Sequence, residues 1–141
     1  MSQLTDFILG TAADADYLTT GRPIERFPRV ETTDFDSILL ALLFTLATGE
    51  SEDDFLADFD ETEVAYTEDG PWLYQLPEGF VSRLSALSVP EIATIAANIA
   101  SSGDCEGCTV VALHTMLISL VALCQKAVQA PDAIVYYRAL L

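Results

Sequence analysis

Positive charge is what this chain has least of. Its 141 residues carry six Lys and Arg and one His against 22 Asp and Glu, a formal net charge of −16. A field of that sign repels phosphate backbones and anionic lipid surfaces. It argues against nucleic acid and membrane as direct partners and favours a protein partner of basic character. Cysteine is also scarce, with three residues. The opening MSQLTDFILGT lacks the basic n-region and long apolar h-region of a signal peptide. Few cysteines and no export signal predict a reducing, cytoplasmic setting with mostly free thiols. The chain also lacks a phosphate-binding loop, a Ser-His-Asp spacing signal and a metal motif, so no cofactor is expected.

Apolar residues are plentiful, at 51% of the chain. A single domain of this size hides roughly two thirds of its unfolded surface, and residues 1–141 are read as one domain. Gly107 to Gln125 runs nineteen residues without formal charge if His114 is neutral. That is just short of the ~20 residues needed to cross a bilayer. Thr109, His114, Thr115, Ser119 and Gln125 dilute it, and the run predicts a central buried helix.

The remaining pattern predicts an α+β fold, mostly helical. About five helices surround the long apolar C-terminal helix, beside a small antiparallel sheet of a hairpin plus the C-terminal strand. TDFILGT is a strand or the first turns of a helix, AADADYLTTG a short helix, and RPIERFPRVET extended because of its prolines. Thr33 is expected to cap a helix whose inner face is Phe35, Ile38, Leu39, Leu42, Leu43 and Leu46, ending at Gly49. Phe55, Leu56 and Phe59 face inward on the next one. Asp69-Gly70 turns a hairpin between Val64–Thr67 and Trp72–Leu76. Pro77 opens one helix, and Ser88 with Glu91 boxes the start of another. The long helix is expected to begin between Asp104 and Cys108. The tail AIVYYRALL is a strand apolar on both faces, which suggests cover by a second subunit and so a homodimer.

The segment GDCEGCTVVALH invites a chemical reading. A structural zinc site takes four ligands around one point. On a continuous helix Cys124 would lie roughly 24 Å along the axis from Cys108, and His114 about 120° around it. These three cannot share an ion, so no metal site is expected. A Cys105-x-x-Cys108 dithiol at a helix N-terminus gains from the dipole, but Asp104 and Glu106 oppose thiolate. The stretch EIATIAANIASSGDCEGCTVVALH resembles the alkyl hydroperoxidase D-like and carboxymuconolactone decarboxylase-like proteins. That resemblance implies a peroxide-reducing dithiol with a His four residues beyond the second Cys. Here Ala112 holds that place and His114 falls off the dithiol's face, which weighs against it. The favoured reading is structural: Cys124 as a core thiol, His114 as a hydrogen-bonded core side chain, and Cys108, Ala112, Thr115, Ser119, Ala122 and Lys126 as a stripe of mainly small residues.

Two charge constellations remain. Residues 50–63 hold eight acids in fourteen positions, with no glycine placed for a calcium loop. Arg22, Arg26 and Arg29 supply half of the Lys and Arg. They serve as ion-pair partners or, in a weaker reading, as an anion clamp for a pocket between the long helix and the sheet. PWLYQLPEGFVSRLSALSVPEIATIAANIA resembles a pattern in small acidic bacterial proteins of interaction or immunity type, through Trp72, Leu76, Pro77, Leu84, Leu87, Glu91 and Ala96. The leading expectation is a non-enzymatic binding or inhibitor-type protein. Its contact residues would be Asp53, Asp54, Asp58, Trp72 and Tyr74. The alternative is a thiol-disulfide or peroxide-reducing enzyme using Cys105 and Cys108.

Overall fold

The structure, a computed structural model, describes residues 4–20, 22–59, 63–66, 71–105 and 107–140, with backbone alone for 56–58 and 63–66. It is an α+β fold. Five antiparallel strands are β1 (Leu4–Gly10), β2 (Arg29–Thr33), β3 (Glu63–Tyr66), β4 (Trp72–Gln75) and β5 (Ile134–Leu140). Their order across the sheet is β2-β1-β5-β4-β3. The helices are α1 (Ala15–Leu18), α2 (Ser37–Thr48), α3 (Glu52–Phe59), α4 (Glu78–Ser85), α5 (Val89–Ala100) and α6 (Val110–Val128).

The tail forms the middle strand of the sheet, not an edge. β5 pairs with β1 from Leu4↔Leu140 to Gly10↔Ile134 and with β4 on its other side. Its two apolar faces are both covered within the chain. Val135, Tyr137 and Ala139 face the main core under the larger helices. Tyr136 faces a second, thinner layer with Ile8, Leu18, Ile24 and Phe27. The sequence argument for a second subunit over this strand therefore loses its basis. It overlooked that α1 and the segment after it could form a cover.

TDFILGT is a strand, and the hairpin of β3 and β4 forms as expected, although Asp69-Gly70 lies outside the described residues. Gly49 ends α2 with φ 79°, a left-handed conformation that glycine adopts without penalty. The start of α2 differs from expectation. Thr33 closes β2, Asp34 turns the chain at φ 61°, and Asp36 caps the helix by accepting from the Leu39 N–H at 3.0 Å. The inner face is partly rotated as well. Phe35, Leu39 and Leu43 are buried as expected and Leu42 and Leu46 are partly buried against the core, but Leu40, Phe44 and Ala47 are buried too and Ile38 is 58% exposed. The stretch LLALLF is apolar all round, so periodicity cannot choose a face. Phe44 chooses it, packing 4.8 Å from Phe55 and 5.2 Å from Phe80 between ring centroids.

The corner between α4 and α5 follows its sequence signals. Ser88 accepts from the Glu91 N–H, and Glu91 returns a carboxylate to the Ser88 N–H at 3.0 Å. Arg83 donates to the other Glu91 oxygen at 2.7 Å and to the Ala47 carbonyl at 2.7 Å, tying this corner to α2. The Ser88 N–H first, and the Arg83 guanidinium second, lower the Glu91 pKa from 4.5 to about 2. A depressed carboxyl stabilises the fold above its unfolded pKa, and that contribution is lost as pH falls through the folded one. Glu91→Gln is expected to lower Tm at neutral pH. The gap from wild type should close as pH falls from about 4.5 to about 2. A gap that is constant over that range in thermal melts would show that the carboxylate charge is not what matters.

α6 is amphipathic, not wholly buried. Leu113, Leu117, Leu120, Val121, Leu123, Cys124 and Ala127 form its inner face. Ala112, Thr115, Ser119 and Ala122 are exposed, so the small-residue stripe faces outward, and Val111 beside it is 76% exposed. By length and composition α6 is apolar enough to cross a membrane, yet its Leu-rich face is part of the main core.

Candidate functional site

The acidic segment is displayed by α3. Ser51 accepts from the Asp54 N–H at 3.1 Å, and Glu52, Asp53 and Asp54 fill the first turn. Carboxylates there suit the positive end of the helix dipole. All three are exposed, as is Glu50. Among the described residues the ion pairs are Arg29–Glu31, Arg83–Glu91 and Arg138–Asp6, and none engages α3. Asp58 lies on α3 with its side chain outside the described residues.

Trp72 and Tyr74 stand on β4, half-buried, and pack against the main core. The Tyr74 ring stacks on Phe59 with centroids 4.2 Å apart. Phe59 in turn meets Phe55 at 5.1 Å and Tyr137 at 6.0 Å. Tyr74 and Tyr137 thus fasten α3 to the sheet through Phe59. The sequence showed the aromatics but not which element would cover them.

The three arginines make separate contacts, and that of Arg22 is through its backbone. Arg29 pairs with Glu31 at 2.8 Å, and that hydrogen bond raises its pKa. Arg26 lies over the rings of Tyr17 and Phe27, at 4.7 and 4.4 Å. The Arg22 N–H donates to the Thr20 hydroxyl. A cavity of about 770 Å³ opens where the end of α6 meets β5 and the start of α4. Its charged lining is Glu78 and Asp132, with none of the three arginines. This cavity therefore gives the anion-clamp expectation no support.

Cys105 and Cys108 precede α6 instead of lying on it. Thr109 caps the helix, accepting from the Ala112 N–H at 3.1 Å. Gly103 and Gly107 take φ 85° and 78°, and these left-handed positions prevent the helix from starting earlier. Cys105 and Cys108 are joined by a disulfide, with Cα atoms 5.4 Å apart. That corrects the expectation of free thiols for this pair. Cys124 is a free thiol buried in the core, and burial pushes its pKa up to about 12. His114 is half-buried at the margin of α6, not enclosed: Val110 and Ile118 on its ridge are both exposed. No group of three or more His, Cys, Asp or Glu among the described residues could hold a metal ion.

One feature escaped the sequence. Arg138 on β5 donates through Nε and Nη2 to Asp6 Oδ2 on β1, at 3.2 and 2.8 Å. Its Nη1 donates to the Leu18 carbonyl at the end of α1. Both charged residues are buried, and the two are direct partners across the ladder. The signal was available only after β1 and β5 were known to pair in this register.

No family model matches the chain, and neither a curated protein nor a solved structure matches it.

Proposed function

We propose that this protein is a non-enzymatic binding protein that docks a basic protein partner on the acidic face of α3. The observation that carries the reading is the exposed set Glu52, Asp53 and Asp54, with Glu50 just before them, on a helix whose other side is fixed by Phe55 and Phe59. Charges held on a rigid element complement a partner better than charges on a mobile tail, because less ordering is lost on binding. Electrostatic complementarity of this kind chiefly sets specificity and association rate.

The test uses an oligolysine peptide as the basic probe. Asp53, Asp54 and Asp58 are reversed to Lys together. Glu25, Asp104 and Asp132, exposed elsewhere, are reversed to Lys in a control with the same change in net charge. Exposed pairs are worth roughly 0.2–1 kcal/mol each, so the α3 variant should bind roughly tenfold more weakly at low salt, and the control much less so. Equal losses in both variants would assign the binding to the overall field and remove α3 from the proposal.

A second reading, thiol-disulfide chemistry, is favoured by one observation, the bond between Cys105 and Cys108.

A further inference from the structure

We infer that Cys105 and Cys108 form a reversible exchange site for dithiol and disulfide partners, in which Cys108 is the sulfur that partners attack and Cys105 the sheltered one. This builds on the second reading above and is independent of the acidic face of α3.

The loop brings the two sulfurs together with its own backbone. The Cys108 N–H donates to the Cys105 carbonyl at 3.2 Å, closing a turn through Gly107. The two ends are not equivalent. Cys105 is 9% exposed and belongs to the main core. Cys108 is half-buried, between the exposed Gly107 and Thr109. It also directly precedes the N-cap of α6, nineteen residues long. The positive end of a helix dipole favours thiolate, whereas apolar burial disfavours it. As the attacking thiolate of the reduced pair, Cys108 is favoured by both access and the dipole; in the disulfide, access directs a partner to Cys108 Sγ. Val110 and Val111, both exposed, give a partner an apolar edge to rest on next to Cys108.

The exchange balances as follows. A thiolate of the incoming dithiol attacks Cys108 Sγ, and the bond between the two cysteine sulfurs breaks. The electron pair leaves on Cys105 Sγ, which takes a proton. The second thiol of the partner, as thiolate, attacks the partner's own sulfur in the mixed disulfide and releases Cys108 as thiolate, which is then protonated. Two electrons and two protons pass to the protein, and the partner departs as a disulfide. The reverse sequence oxidises the protein pair.

The folded chain is incubated with dithiothreitol and then with its oxidised form, and cysteine peptides are mapped by mass. The expected result is opening and reclosure of Cys105–Cys108 while circular dichroism is unchanged and Cys124 stays unmodified. Next, Cys105→Ser and Cys108→Ser are treated with dithiodipyridine, an uncharged disulfide. Cys108 in the first variant should react at least about tenfold faster than Cys105 in the second, following exposure and thiolate character. If either variant fails to fold, one-to-one alkylation of the reduced wild type ranks the two thiols within one molecule. A pair that opens only when the protein unfolds overturns the exchange site. Equal reactivity, or faster reaction at Cys105, overturns the assignment of Cys108. Neither outcome bears on oligolysine binding, so the two proposals fail separately.

Discussion

Replacing Arg138 by Met is expected to lower the unfolding free energy by about 3–5 kcal/mol, the cost of leaving one charge of a buried pair without its partner. Asp6 would then be a carboxylate under the thin layer of the sheet, with its two guanidinium hydrogen bonds gone. The Leu18 carbonyl would lose its donor as well. A domain is stable by only about 5–15 kcal/mol, so the single variant should be marginal at 37 °C. The pair itself is a different matter. Desolvating two charges offsets most of their attraction, and an apolar pair of similar volume is often no worse. Asp6→Leu combined with Arg138→Met should therefore recover most of the loss. Urea unfolding of the two single variants and the double variant closes the cycle. A loss below about 1 kcal/mol for Arg138→Met would mean that water reaches the pair, as it does for an exposed one. If the double variant is as weak as the single one, the pair contributes more than charge compensation. It would then fix the register of β5 between β1 and β4.

That pair also marks where reading the sequence stops working. Local signals were legible: the Ser88–Glu91 box, Pro77 at the start of α4, Gly49 at the end of α2, and the β-branched tail as a strand. Each is written within a few consecutive residues. What was not legible depends on partners far along the chain. Leu4 and Leu140 are ladder neighbours, and nothing in either segment names the other. Without that pairing, β5 read as a strand in need of cover by a second subunit, and neither Asp6 nor Arg138 drew a reading of its own. The rotation of α2 has the same origin, because Phe44 is oriented by Phe55 and Phe80. The cysteine loop failed for a local reason. Helical periodicity after Thr109 was extended backward across Gly107, which takes a left-handed conformation. In the candidate sites, the exposure of Asp53 and Asp54 was anticipated. The stacking of Tyr74 on Phe59 was not, because it depends on what packs against β4.

Phe55→Ala should cost about 3–5 kcal/mol, the range for truncating a buried aromatic side chain. The Phe55 ring is almost wholly buried and lies within 4.8 Å of Phe44, 5.1 Å of Phe59 and 6.1 Å of Phe80. Phe55→Leu keeps much of the volume and should cost less. Hydrogen exchange should localise the damage. The α3 amides should lose protection first, because this helix is short and is held by Phe55 and Phe59, whereas α6 packs against α4, α5 and the sheet. If α6 amides lose protection equally, α3 is part of the global cooperative unit and not a separately opening one. The variant also separates charge from presentation. It keeps every acid of residues 50–63, so the net charge of −16 is unchanged. Weaker oligolysine binding by folded Phe55→Ala would mean that the acids must be held on a docked helix to act. Unchanged binding would mean that charge alone suffices and that the aromatic seat of α3 serves only the fold.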